Sequence, residues 1–435
     1  MQQTSAADKR TPYWWEDAPV RPLPETPLAA RADVVVVGAG YAGLVAALTL
    51  ARAGRAVTVL DAMNPGEGAS SRNGGITSGN IRMTFDQLKR RYGEERALAI
   101  EAEGKAARAF TYDFIRSEGL DCDFQLTGRF YGAIGAEQYE SAARSAEALH
   151  RKLGIDSFAV PRAEQRSYLG TDYYRGGTVR MDIGGLQPAK YHAEILRVTL
   201  AAGASVHSGC PVTNIAATGA GFVVTTPAGK IQARQVLICT NGYTDGAAPF
   251  LRRRLVPVRS RIIATEELPV ELMDRLMPKR MMASEGKVLG FYYRPSPDGT
   301  RILLGGRDAS QSGDPEAPTL MLRKGLIGLF PELQDVRLSH SWFGNVAMHR
   351  DMIPRIFEHK GLTYATGFCG SGVVWAPWIG SRAAHKLMGD AQGRSAFDMR
   401  PPPAIPLYNG KPWFMPAFIQ GYRMQDRIAM SRATR

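Results

Sequence analysis

Asp33-Val34-Val35-Val36-Val37-Gly38-Ala39-Gly40-Tyr41-Ala42-Gly43 is the stretch on which the reading of this chain turns. Asp33–Val37 is a short run with four consecutive valines, the pattern of a strand buried on both faces in a parallel sheet. Ala42–Ala53 sets Leu44, Ala47, Leu48 and Ala51 on one helical face, and Gly54 follows as a stop. Ala56–Leu60 is a second apolar strand, so the segment reads as one βαβ unit with a right-handed crossover. Between strand and helix lies G-x-G-x-x-G. Gly38 permits the tight turn, Gly40 lets the backbone approach a diphosphate, and Gly43 lets the helix pack on the strand. Tyr41 and Ala42 open the helix, where free N–H groups and the positive end of the dipole favour an anion. Asp61 closes the second strand, where a carboxylate can accept hydrogen bonds from ribose hydroxyls and repel a 2′-phosphate.

Three later segments carry the same kind of information. A loop rich in Gly and Ser, from Gly66 to Gly79, contains Ser71-Arg72-Asn73-Gly74-Gly75. Thr240-Asn241-Gly242 follows an apolar strand at Gln235–Cys239. Gly367-Phe368-Cys369-Gly370-Ser371-Gly372-Val373 follows a strand at Leu362–Thr366 and precedes a helix near Trp378–Met388. Each is a place where backbone N–H groups can approach a ligand, and a helix start at the last can stabilise negative charge.

The composition is that of a folded protein: 435 residues, 44% hydrophobic and 22% charged. That length implies two to three domain-sized cores. No apolar run is long enough to span a membrane and Met1–Arg10 is polar, so a cytoplasmic protein is expected. Cys122, Cys210, Cys239 and Cys369 are widely spaced without C-x-x-C, as expected of buried thiols and not of a metal site or disulfide scaffold. The net charge of +13 is scattered, densest at Lys89-Arg90-Arg91 and Arg252-Arg253-Arg254, and reads as a basic surface without a nucleic-acid partner.

Taken in order, these blocks resemble the D-amino-acid oxidase superfamily of flavoproteins, within it the branch holding γ-glutamylputrescine oxidoreductase, glycine oxidase and the sarcosine oxidases. The resemblance rests on residues 33–43, Gly68–Gly75, Val212 ahead of a hairpin, Thr240–Gly242, Gly305-Gly306-Arg307, Asp351-x-x-Pro354 and Gly367–Val373. Two departures are visible. Asp61 stands where the family more often has Glu, and Phe357 follows Pro354-Arg355-Ile356 where a Gly is common.

The resemblance implies an α/β chain, α+β overall, with a Rossmann-type FAD-binding domain and a second, mixed-sheet substrate domain. The FAD domain is expected at 31–92, 161–250 and 345–395, and the substrate domain at 93–160 and 251–344. An extended arm at 1–30, with Tyr13-Trp14-Trp15 anchored on the body, and a Pro-rich tail at 396–435 complete the expectation. The resemblance also assigns the cofactor contacts. Gly38, Gly40 and Gly43 would serve the pyrophosphate and Asp61 the ribose. Ser71, Arg72, Asn73 and Gly74 would lie by the pyrophosphate or ring, Val212 at the adenine, and Gly370, Ser371, Gly372 and Val373 at the ring. Cys369 and His349 sit in no attachment motif, so non-covalent FAD is expected, and no metal.

The expected reaction is oxidation of a C–N bond in a small amine or amino acid, anionic ones included, with oxygen or a quinone as final acceptor. Hydride transfer to flavin N5 needs alignment and a neutral amine but no obligate catalytic residue. Candidate substrate contacts are Tyr292, Arg294, Arg307, Trp342, His349 and Trp375, with Tyr293 facing away from its strand neighbours. His192 reads as a helix-surface residue, since no P-C-x-x-C partner accompanies it. The competing readings are a flavin monooxygenase and a non-enzymatic, basic flavin-containing module for RNA or membrane.

Overall fold

A computed structural model describes residues 6–310 and 312–433. Arg31–Val37 is a strand, Tyr41–Arg52 a helix and Val57–Leu60 the next strand, as the valine run and the helical stripe require. Among the described residues the strands form two eight-stranded sheets.

The first sheet runs in the order Arg355–His359, Leu362–Thr366, Gly229–Ile238, Arg31–Val37, Val57–Leu60, Ser205–His207. The hairpin Asn214–Thr218/Gly221–Thr226 is attached through Gly229–Ile238. The central pairings are parallel, and their register fixes the site. Val37 lies opposite both Leu60 and Ile238, and Ile238 lies opposite Tyr364. Four turns far apart in sequence therefore leave the same carboxyl edge of one sheet.

The helices Tyr41–Arg52, Pro188–Ala201 and Gly372–Met388 cover this sheet, sharing a core of Leu44, Leu48, Ile195, Val374 and Ile379. The last begins six residues before the expected Trp378, at Gly372, and carries Pro377 within it at the loss of one helical hydrogen bond. Its Gly380 lets it cross Tyr41–Arg52 closely: a side chain there would strike the Ala42 carbonyl.

The second sheet runs Leu338–Met348, Val256–Thr265, Ile302–Arg307, Tyr292–Pro295, Met282–Glu285, Arg129–Gly132, Gly177–Arg180, Ser157–Val160. It is mixed, with Met282–Glu285 and Arg129–Gly132 parallel and its other pairs antiparallel. Gly177–Arg180 lies within the stretch expected to return to the first body at residue 161, yet it pairs in this sheet, so the second sheet holds the chain as far as Arg180.

The N-terminal arm is pinned by its aromatics. Trp14 is wholly buried against Trp342, Trp14 Nε1 donates to the Asn73 carbonyl (2.8 Å), and Trp15 Nε1 donates to Ser71 Oγ (2.8 Å). At the other end the Pro-rich reading stops short. Met415–Ala433 is a helix, since the prolines cluster ahead of it and Gln, Met, Arg and Ala favour helix from there on. Phe357, the departure noted above, sits in a regular strand with its ring stacked on Tyr364 at 4.8 Å.

Candidate active site

The four turns open into one cavity of about 1470 Å³ that reaches from the carboxyl edge of the first sheet to a face of the second. That exceeds the several hundred Å³ of ordinary ligand pockets, enough for a dinucleotide and a second molecule.

The first turn is shaped by its glycines. Gly38 has φ +105°, a region closed to most side chains. A Cβ on Gly43 would run into the Gly38 carbonyl oxygen, so Gly43 is hidden behind the wall while Gly38, Gly40, Tyr41 and Ala42 line it. Gly40 gives the helix Tyr41–Arg52 no side-chain cap; Ser70 Oγ accepts from the Tyr41 N–H (3.1 Å), and the following first-turn N–H groups are left for a ligand. Asp61 accepts from the Ala39 N–H (2.7 Å) and the Met63 N–H (2.9 Å), and burial pushes its carboxyl above the usual range.

The turn also has a support that the sequence reading misplaced. His192 is buried, not on the helix surface, and its Nε2 bonds the Ala39 carbonyl at 2.8 Å. Its ring packs over Gly66, where any side chain would collide with it, and burial lowers it to about 4, so it is neutral. The signal was the neighbouring Gly66, readable only once the two segments are known to meet.

The second turn is held from outside the cavity. Asn73 Oδ1 accepts from the Gly75 N–H (2.7 Å), and Arg72 lies over the Trp15 ring at 4.5 Å while Trp342 Nε1 donates to the Arg72 carbonyl (2.8 Å). Arg72, Asn73 and Gly74 face the cavity. Ser71 does not: it is fully buried, donating to the Gly66 carbonyl. At the third turn Thr240 and Asn241 line the cavity, and Gly242 packs behind them against the Asn345 carbonyl. Asn241 Oδ1 accepts from the Gly367 N–H (2.9 Å), tying the third turn to the fourth. At the fourth, Gly370, Ser371, Gly372 and Val373 line the cavity, and the uncapped helix Gly372–Met388 starts there. Val212 lines the far end, beside the first sheet. Asn241 (φ 43°), Met352 (φ 55°) and Cys369 (φ 50°) are left-handed residues on this wall, strain of the kind that gathers at ligand sites.

The second-sheet side sorts the substrate candidates. Tyr292 and Arg307 line the cavity. Tyr292 lies across Gly305 and Gly74, with its hydroxyl 3.1 Å from Ser260 Oγ. Arg307 has no carboxylate within ion-pair reach and no hydrogen-bond partner among the described residues. The buried ion pair of this sheet belongs instead to Arg261, whose Nε donates to Asp308 Oδ2 at 2.9 Å. Burial, reinforced by the neighbouring Arg82 charge, pulls the Arg307 guanidinium down to about 9, still cationic at neutral pH. Tyr293 faces the opposite core, 3.0 Å from the Tyr174 hydroxyl.

Three candidates are structural. Arg294 shares a face with Tyr292, but its guanidinium is spent on the Pro295 (2.9 Å) and Leu186 (2.7 Å) carbonyls. Trp342 and Trp375 are fully buried and away from the cavity, their indole N–H groups bonded to the Arg72 and Asn80 carbonyls. Large aromatics next to glycine turns serve here as clamps on loop backbone. His349 does reach the cavity but is buried against Gly367, and burial lowers it to about 3.

Several wall residues were not anticipated. Arg82 donates to the Cys369 carbonyl (2.9 Å) beside Arg307. Lys287, between the Tyr173 and Phe291 rings, pairs with buried Glu285 at 3.2 Å. Phe414, Phe418 and Tyr422 reach in from the C-terminal helix and its approach. The four cysteines are buried free thiols, and no cluster able to hold a metal occurs among the described residues.

These features fit FAD: a glycine turn and an uncapped helix able to take a diphosphate, a half-buried carboxylate closing the next strand, and a second uncapped helix across the cavity. A family model described as FAD dependent oxidoreductase, DAO, matches residues 33–386. The chain belongs to this family. As a DAO-family protein it is an FAD-dependent oxidoreductase. It is 30% identical to a "Probable oxidoreductase OrdL" of Rhizobium meliloti, over 96% of this chain and 98% of that one. It is 29% identical to the γ-glutamylputrescine oxidoreductase of Escherichia coli, over 92% and 93% of the two chains. The crystal structure of glycine oxidase from Geobacillus kaustophilus shares the DAO fold, with a TM-score of 0.72 at 21% identity over 86% of this chain and 98% of that one. No helix of the described residues is long and apolar enough to cross a membrane.

Proposed function

We propose that this oxidoreductase oxidises the C–N bond of a small amine or amino acid carrying an anionic group. The substrate loses a hydride from the carbon beside nitrogen, and the imine so formed takes up water to give a carbonyl compound and an amine or ammonia. When bound, FAD supplies the two-electron acceptor, and oxygen or a quinone takes the electrons onward. Relatives that carry the names γ-glutamylputrescine oxidoreductase and glycine oxidase support the amine and amino-acid class.

The observation that carries the anionic group is Arg307: a half-buried, cationic guanidinium on the cavity wall without a hydrogen-bond or ion-pair partner among the described residues. Two guanidiniums, Arg307 and Arg82, stand together there without a carboxylate, and a bidentate anion would relieve both. Tyr292 would close the cavity over the reacting carbon and exclude water. In this reading Gly38, Gly40, Tyr41 and Ala42 hold the diphosphate of non-covalent FAD while Gly43 packs the helix behind them, and Asp61 and Val212 hold its adenosine half. Arg72, Asn73, Gly74, Thr240 and Asn241 flank the middle of the cofactor, and Gly370–Val373 its ring. Sheet membership supports an FAD-binding body made of 31–92, 181–250 and 349–395.

Anaerobic photometry of the purified yellow protein tests the reading. Amines, amino acids and neutral analogues are added in turn. Bleaching by amino acids with a free carboxylate, and weaker bleaching by their esters, is expected. Bleaching by alcohols alone, or equal response to esters, overturns it. Readmitting oxygen then separates oxidase from quinone-linked enzyme.

A further inference from the structure

We propose that the surface formed by residues 407–428 docks this protein on an anionic lipid bilayer. Large exposed apolar side chains are concentrated there: Leu407 is 92% exposed, Trp413 62%, Phe418 54%, Met424 58% and Ile428 45%. Those that lead into the helix touch one another. Trp413 packs on Phe414 and Phe414 on Phe418, each pair 5.6 Å apart, and Trp413 Nε1 donates to the Leu407 carbonyl. Further along the helix Met415–Ala433, the small Ala417 and Gly421 and the large Met424 and Ile428 follow the spacing of a single helical stripe, and all four are exposed. An apolar patch of this kind is rare on a surface that meets only water.

Charge selects the occupant. From residue 401 to the end the sequence has Lys411, Arg423, Arg427, Arg432 and Arg435 against a single acid, Asp426. Asp426 is turned inward, accepting from the Val288 (2.8 Å) and Leu289 (3.0 Å) N–H groups. Arg252 packs against Gly410, and the Arg253 carbonyl accepts from the Ile405 N–H (3.0 Å), so the basic cluster at 252–254 adjoins the same patch. Lys411, Arg423, Arg427, Arg252 and Arg253 form no ion pair among the described residues. A second copy of the chain would bring cations onto cations. An anionic headgroup layer meets both the charge and the apolar face, as it does for helices that lie in the membrane surface with Trp and Phe inward and Arg at the rim. Phe418 belongs both to this patch and to the cavity wall, so the docked protein would present the mouth of its cavity to the bilayer.

The test uses full-length FAD-loaded protein sedimented with vesicles of phosphatidylcholine alone or mixed with phosphatidylglycerol. Binding to the mixed vesicles at least ~10-fold tighter than to phosphatidylcholine, weakening with salt, is expected. The triple variant Leu407→Ser/Met424→Ser/Ile428→Ser and the variant Arg423→Glu/Arg427→Glu should each lose most of it, with their flavin content showing that they have folded. Equal binding to both vesicles, none to either, or unimpaired binding by both variants overturns the proposal. So does light scattering that finds a stable dimer which the triple variant dissociates, because the face would then be a self-interface.

Discussion

At the Gly38–Gly43 turn the cavity wall is backbone, whereas at Arg307 it is side chain. On the proposed function the first end would recognise its ligand through N–H groups of a turn that glycine keeps open, and buried His192 and half-buried Asp61 hold that turn at Ala39. The second end presents guanidiniums, a tyrosine and a lysine–glutamate pair on strands whose backbone is consumed by the sheet. Backbone recognition suits a ligand that never changes. Side-chain recognition suits one that differs between relatives, because a side chain can be exchanged without moving the fold.

The sharpest way to break this contrast is Gly43→Ala. The added methyl meets the Gly38 carbonyl, which belongs to a turn that His192 and Asp61 hold fast. We expect protein purified without colour, with FAD affinity reduced ~1000-fold, about 4 kcal/mol. Gly40→Ala should be milder for the fold, because among protein atoms its methyl meets only Ser70 Oγ (2.9 Å), the acceptor of the Tyr41 N–H, but it also takes up space through which the backbone would approach the diphosphate and should lower flavin content as well. Full flavin content in both variants, measured by absorbance per protein, would remove the backbone argument.

Next in size is Trp14→Ala. Trp14 lies outside the cavity, yet it holds the Asn73 carbonyl through its indole N–H, while its own backbone carbonyl, which the substitution keeps, accepts from Gln187 Nε2 at 2.8 Å. Emptying so large a buried site costs about 3 kcal/mol or more. The loss should appear as a lower urea midpoint together with faster FAD release. A lower midpoint with unchanged FAD release would make the arm a brace for the fold and nothing more.

The same contrast explains what could be read from the sequence. The nucleotide end was legible because each requirement, a valine run, three spaced glycines, an acid closing the next strand, is written within about thirty residues. The strand register then brings in Thr240 and Gly370 without further information. The other end was not legible. Arg294 and Arg307 both follow sheet-like runs in the sequence, and only tertiary contacts reveal that one is consumed by carbonyls and the other left over. Trp342 and Trp375 looked like cavity lining for the same reason that they are clamps: both lie next to glycine-rich backbone. The helix Met415–Ala433 was hidden by the prolines that precede it, and with it Phe418 and Tyr422.

Arg307→Ala probes the side-chain end. Loss of a charge-assisted contact is worth about 2 kcal/mol, so kcat/KM for carboxylate substrates should fall roughly 30-fold, mostly through KM. Arg307→Lys should recover part of this but not the planar, bidentate contact. Flavin content should stay unchanged in both. A parallel loss of flavin would mean that Arg307 serves the cofactor and that the two ends are not separate.

The last effect concerns the histidine behind the backbone end. Burial holds His192 near 4, well below the ordinary histidine value of about 6.5. Between those pH values the unfolded chain binds a proton at this position that the folded one does not. Stability from this group is therefore fully present above about 6.5 and is lost as pH falls toward 4, by at most about 1.4 kcal/mol per pH unit. His349, near 3, acts in the same direction over a wider range. In His192→Asn the slope of unfolding free energy against pH should flatten by about one proton between 4 and 6.5, although the variant is less stable throughout. An unchanged slope would mean that His192 carries its proton in the folded protein. Its Nε2–H would still reach the Ala39 carbonyl, but a fixed positive charge would then sit behind the glycine turn, and attraction at that end would come from a side chain as well as from backbone.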